Sequence, residues 1–137
     1  MLQPKRQKYR KSFRGRRKGM SVRGSELNFG EFGLKAVGRN WLAAAQIEAG
    51  RRAITNSLKR KGRVWIRVFP DKPVSARAAG QRMGSGKGDV ARYVASVTPG
   101  RIIYEITGVP SEVAKNALGR AADKMPFKTR IVEKDEE

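Results

Sequence analysis

A chain of 137 residues suits one compact domain with a modest core. Its 31 Lys and Arg against 12 acidic residues leave a formal net charge of +19, which repels itself unless a polyanion lies nearby. With no cysteine and no histidine, the chain excludes disulfides, Cys/His zinc sites and any nucleophile that relies on a histidine base.

Nucleic acid is therefore the first partner to consider and a membrane surface the second. A hydrophobic content of 39% still provides for a folded core. No apolar run approaches the roughly 18 residues of a membrane span. The charge is unevenly spread: residues 1–23 carry ten Lys/Arg and residues 51–69 carry seven, both without an acid, whereas residues 93–137 balance seven against seven. Such asymmetry is the footprint of a polyanion-binding surface.

Residues 1–24, "MLQPKRQKYRKSFRGRRKGMSVRG", have no sustained period and are expected to form a basic arm that is poorly ordered alone in water. The arginine richness resembles a transit peptide, but its glycines and Pro4 do not make an amphipathic helix. Tyr9, Phe13 and Met20 sit among the cations, either to anchor the arm to its own domain or to stack on bases. Residues 27–37, "LNFGEFGLKAV", alternate as a strand with glycines where another backbone approaches.

A helix is predicted over roughly 43–61, with Ile47, Ile54 and Leu58 as its apolar stripe and Gly62 as its C-terminal cap. Arg51, Arg52, Lys59, Arg60 and Lys61 lie on its flanks and end, where cations also complement the helix dipole. "RVWIRVF", 63–69, alternates with Val64, Ile66 and Val68 on one face and Arg63, Trp65 and Arg67 on the other. "PDKP", 70–73, stops that strand with two prolines. Residues 74–89 offer almost nothing to bury and read as an extended Gly-rich loop. "ARYVASV", 91–97, and "IIYEIT", 102–107, read as a hairpin across "TPGR". A second helix follows over 110–125, with Pro110 in its first turn and Val113, Ala114, Ala117, Leu118, Ala121 and Met125 as its stripe. "FKTRIV", 127–132, closes as a strand, and 133–137 form an acidic tail. The expected fold is α+β, two helices on a mostly antiparallel or mixed sheet, one domain over 25–132.

Within the loop, "QRMGSGKGDV" sets three glycines around Lys87. A P-loop requires a first glycine five residues before the Gly-Lys pair and a hydroxyl after it. With Lys87 in the lysine position those places fall on Gln81 and Gly88, so the metal-holding hydroxyl is missing. The loop suits phosphate binding by amides and cations without hydrolysis. Glu26, Glu31, Glu48, Asp71 and Asp89 are scattered without pairing, and Lys87 lacks the desolvated pocket of a nucleophilic lysine, so an enzyme is not expected. Nor does any element offer a recognition helix or the aromatic pair of an RRM, so readout should be of RNA shape and backbone.

"MLQPKR", "QIEAGRRAI", "VWIRVFPDKPV", "RMGSGKG", "PGRIIYEITGVP" and "AADKMPFKTRIV" occur in order from Met1 to about Val132. Together they resemble the bacterial large-subunit ribosomal protein of the L-sixteen family. The resemblance implies binding to 23S-type large-subunit rRNA beside neighbouring ribosomal proteins. It also implies contact with A-site tRNA, and with P-site tRNA as a second contact, near the peptidyl-transferase region, and a role in late subunit assembly. Candidate rRNA-binding residues are Lys5, Arg6, Lys8, Arg10, Lys11, Arg14, Arg16, Arg17 and Lys18 in the arm. The folded part adds Arg51, Arg52, Lys59, Arg60, Lys61, Arg63 and Arg67. The tRNA-facing set is Arg77, Arg82, Met83, Gly84, Gly86, Lys87 and Gly88, and Arg82 occupies the position hydroxylated in some members. Alanines and Gly80 stand where the family often has a proline and larger apolar groups. No cofactor, metal, membrane or small-molecule substrate is expected, and the place of action is the cytoplasmic ribosome, with an organellar ribosome left open. Two other classes stay in view: a free-standing RNA chaperone and a nucleotide-binding enzyme.

Overall fold

The computed structural model of the chain describes residues 2–5, 24–76 and 89–134. Seven strands and two helices follow one another as β1 (Phe32–Ala36), β2 (Asn40–Ala43), α1 (Ala44–Leu58), β3 (Arg63–Ile66), β4 (Lys72–Ala76), β5 (Asp89–Val97), β6 (Ile102–Thr107), α2 (Ser111–Ala122) and β7 (Thr129–Glu133). They form two antiparallel sheets, a four-stranded one in the order β3-β6-β1-β7 and a three-stranded one in the order β2-β5-β4. This is the expected α+β class, with the strands divided between two sheets.

The core is built where the apolar stripes converge. Ile47, Ile54 and Leu58 of α1 and Ala114, Ala117, Leu118 and Ala121 of α2 are buried with Leu34, Ile103, Tyr104 and Ile106 of the larger sheet. The alanines of α2 let the two helices approach each other closely. Val113 is 37% exposed and not part of the core, and Met125 lies past the helix end but still packs against the core. Within α1, Gly50 makes room for Tyr104, whose hydroxyl donates to the carbonyl of Ile47 at 2.6 Å. A Cβ on Gly50 would collide with that hydroxyl.

Several sequence expectations are corrected. β5 and β6 do not form a hairpin: β5 pairs with β2 and β4, β6 with β1 and β3. The "TPGR" turn instead carries the chain between sheets, with Gly100 at φ 98° donating its amide to Ala36. β6 is buried along nearly its whole length and takes a neighbour on both edges, which leaves none for β5. The strand expected over 27–37 shortens to Phe32–Ala36 because the amides of Asn28, Phe29 and Gly30 are spent on the Glu105 side chain. The loop expected over 74–89 loses both ends, since Val74, Ser75 and Ala76 belong to β4 and Asp89 opens β5. Pro73 does not terminate a strand but sits inside β4, an edge strand, where a missing amide donor is tolerated.

α1 likewise stops three residues short of its expected end, at Leu58. β2 has no clear pattern in the sequence. Glu133, assigned to the tail, pairs with Phe32 in β7, and the Lys134 amide still donates to Glu31. Residues 6–23, 77–88 and 135–137, including most of the arm and the whole "RMGSGKG" segment, lie outside the described residues.

Candidate nucleic-acid interface

The end of α1 is where cationic side chains are driven outward. Lys59 caps the helix in the left-handed region at φ 52°, and Arg60 follows at φ 64°. Two consecutive non-glycine residues there are costly, of order 1 kcal/mol each. Gly62, at φ 71°, is thus not the helix cap but the pivot into β3. A Cβ on Gly62 would lie 2.5 Å from the Thr107 carbonyl, so only glycine lets this turn pack against the end of β6. The result is a tight corner with Lys59, Arg60, Lys61 and Arg63 all exposed. Among the described residues no carboxylate forms a salt bridge with any of these four.

Beside this corner runs a groove of about 550 Å³ between α1 and β3. It is lined by apolar Leu58, Val64 and Ile66 together with Arg51, Arg60, Lys61 and Arg63. Arg51 is held in place by a two-point contact with Glu48, which Arg52 also joins at 3.3 Å. The hydrogen bond from Arg51 first, and both positive charges with it, draw the Glu48 carboxyl down to about 2.

Arg67 is different from the other predicted cations. Its guanidinium is nearly buried and pairs with Glu105, which is fully buried in the centre of β6, and it also donates to the Glu26 carbonyl at 3.2 Å. One Glu105 oxygen accepts from the amides of Asn28, Phe29 and Gly30 at 2.9, 3.0 and 3.0 Å. Burial pushes this carboxyl upward, but the Gly30 amide, the Arg67 guanidinium and the Phe29 amide outweigh it and hold it below its usual value. Arg67 is therefore spent inside the protein, fixing residues 26–30 against β6. An acid in the middle of "IIYEIT" was the available signal, because a glutamate is almost never fully buried unless paired.

The node also sets out an aromatic ladder. Phe29 is 57% exposed yet stacks on Trp65 with centroids 5.8 Å apart and 25° between planes. Arg63 lies 5.7 Å from the Trp65 ring and Arg67 5.1 Å from Phe29. Phe29 and Trp65 did not figure among the candidate site residues, since their register depends on Glu105.

The arm is held at its described flanks: Leu2 packs against the core, and the Gly24 carbonyl accepts from Ile102 at 2.7 Å. Lys5 is exposed. Arg6, Lys8, Arg10, Lys11, Arg14, Arg16, Arg17 and Lys18 lie outside the described residues, as do Arg77, Arg82, Met83, Gly84, Gly86, Lys87 and Gly88. What is described is the base of that second segment: β4 and β5 pair up to Ala76↔Asp89, so residues 77–88 leave and return at adjacent points of one hairpin.

A basic, carboxylate-poor corner on an α+β scaffold is a surface suited to a polyanion backbone. The sequence pattern of the family described as ribosomal protein L16p/L10e matches residues 4–132. The chain belongs to that family. As an L16p/L10e protein it is a structural constituent of the large ribosomal subunit, works in translation, and has rRNA and neighbouring ribosomal proteins as its partners. Families of structural ribosomal proteins are generally non-enzymatic. Among the described residues no helix is long and apolar enough to cross a membrane, and no cluster of three or more acidic residues is placed to hold a metal ion.

Proposed function

We propose that this L16p/L10e protein grips large-subunit rRNA with two basic surfaces and presents residues 77–88 to tRNA beside the peptidyl-transferase region. The observation that carries the reading is the α1–β3 corner, where Lys59, Arg60, Lys61 and Arg63 project together with no carboxylate partner among the described residues. Arg51 and Arg52 add charge on the helix side, shared with Glu48. The second surface is the arm, from Lys5 to Lys18. Arg67 is left out, because its charge is neutralised by Glu105.

The tRNA role rests on residues 77–88. Their glycines permit close backbone approach to a phosphate chain, and Arg77, Arg82 and Lys87 supply charge. Their attachment at the paired residues Ala76 and Asp89, which brings both ends of the segment to one place on the three-stranded sheet, supports that role. A-site tRNA is the main contact, P-site tRNA the second, and late incorporation follows from a protein that completes a tRNA-binding face.

The test is an add-back to large subunits stripped of weakly held proteins by salt. Restored wild-type chain recovers A-site tRNA binding and peptide-bond formation at stoichiometric protein. Arg82→Ala with Lys87→Ala joins the particle but recovers A-site tRNA binding poorly. Unchanged tRNA binding, or failure to join the particle, sinks the assigned role of those two residues.

A further inference from the structure

The face of the four-stranded sheet that turns away from the helices holds cations that the α1–β3 corner does not include. Along β1, Phe32, Leu34 and Ala36 are buried in the core, so Gly33 and Lys35 point to the opposite face. β7 pairs with β1 so that Lys35 stands directly opposite Arg130, and Gly33 opposite Val132. Residues opposed in this way share a face, with Cβ atoms roughly 4.5–5.5 Å apart. Two positive side chains therefore meet on neighbouring strands, an arrangement that by itself destabilises a sheet. Lys35 is half-buried and Arg130 exposed, and among the described residues neither forms a salt bridge.

Both cations line a concave site of about 610 Å³. The chain that follows the arm forms one wall of it: the Gly24 carbonyl accepts from the Ile102 amide, and Leu27 covers Gly33, where a Cβ would collide with it. Lys134, just past the end of β7, also lines the site. Of its two acids, Glu133 is turned toward α2 and held by Lys115 at 3.1 Å and Ser111 at 3.2 Å. That leaves Glu26 against three cations.

We propose that Lys35 and Arg130 straddle one phosphate of the large-subunit RNA backbone at the point where the arm joins the domain. The inference rests on the rRNA-binding reading above and deepens it, extending the arm's contact onto the sheet. An anion between the two side chains replaces their repulsion with two charge-assisted contacts. Placement selects the kind of anion. The arm carries ten Lys/Arg and no acid up to residue 23, so a polyanion that follows the arm arrives at the wall formed by Ser25 and Leu27. The residue types fit a phosphate, since Arg130 offers a planar fork for two oxygens and Lys35 a point charge for a third.

The full chain carrying Lys35→Gln and Arg130→Gln is compared with wild type in two measurements. Affinity for large-subunit rRNA at several salt concentrations should show a slope of log K against log salt flatter by about 0.7–0.9, the loss of one phosphate contact. Urea unfolding of the free protein at low salt should show a raised midpoint, because the like-charge pair is gone, and added salt should close the gap. A pair that merely holds the sheet together would lower that midpoint instead. Poly-glutamate, titrated in place of rRNA, should bind more weakly, with a slope that the substitutions leave unchanged.

An unchanged rRNA slope overturns the phosphate site. Arg60→Ala with Lys61→Ala in the same assay then separates the two claims, since a flatter slope there keeps the rRNA reading standing. A lowered urea midpoint overturns the site too. Equal loss of slope for poly-glutamate and rRNA would assign the pair to an acidic polypeptide and overturn the phosphate. Failure of the wild-type chain to bind rRNA with any salt dependence removes the rRNA reading and the site with it.

Discussion

Gly50 and Gly119 both stand inside helices, yet they should respond to the same substitution with opposite sign. A Cβ on Gly50 runs into the Tyr104 hydroxyl and approaches its ring carbon at 2.9 Å, whereas a Cβ on Gly119 meets nothing within 4 Å. Gly119→Ala should stabilise the free protein by about 0.4–1 kcal/mol, because alanine restricts the unfolded chain and propagates helix better. Gly50→Ala should destabilise it despite that gain, since Tyr104 must move and its bond to Ile47 breaks. Urea unfolding of the two variants measures the contrast, and destabilisation of both would refute the assignment of open space at Gly119. Glu105 offers a second residue-scale prediction. Removing one member of a buried ion pair costs about 3–5 kcal/mol, so Glu105→Gln should lower stability by about that much near neutral pH. The Glu105 carboxyl is depressed in the folded state, so its contribution is present above the ordinary carboxylate value and lost as pH falls through the folded one. The gap between wild type and Glu105→Gln should therefore be full at pH 6 and close on acidification, as urea midpoints across pH would record. A gap that widens in acid would invert the sign and refute the ionised assignment.

At the scale of elements, the corner between α1 and β3 does the work. The helix stops at Leu58, and the left-handed pair Lys59 and Arg60 throws three successive cations outward before Gly62 turns the chain into β3. β3 is an edge strand, so cations there also discourage pairing with a foreign strand. If Arg60 and Lys61 each meet a phosphate, Arg60→Ala with Lys61→Ala should flatten the slope of log K against log salt by about 1.4–1.8. Measuring affinity for large-subunit rRNA at several salt concentrations gives that slope. No change would mean that the pair faces solvent. Arg67→Ala belongs to a different class, because it should cost folding stability more than salt dependence.

For the whole molecule, the proposed rRNA and tRNA roles fall on different sheets. The four-stranded sheet carries α2 and the basic corner, α1 packs against strands of both sheets, and the three-stranded sheet carries the β4–β5 pair that residues 77–88 connect. Because β4 and β5 are paired as far as Ala76↔Asp89, replacing residues 77–88 with an Asn-Gly turn should leave a closed hairpin. Such a protein should fold with near-wild-type circular dichroism and enter the subunit, yet support A-site tRNA binding poorly. Loss of folding instead would show that the segment is needed to close the three-stranded sheet.

Sequence by itself determined the chemistry and the local elements. Charge excess and its concentration before residue 93 named a polyanion partner, and periodicity found both helices and their buried stripes, because amphipathic spacing is written within a few turns. The motifs placed the chain in its family. Tertiary structure alone decided how those parts meet. The separation of β5 from β6 depends on which strands flank β6, and the late start of β1 depends on a glutamate more than seventy residues away. The division of the cations into an exposed set and the buried Arg67 has the same origin, since pairing with Glu105 is a long-range contact that no local pattern encodes. The stack of Phe29 on Trp65 became visible only once Glu105 had brought Phe29 beside it.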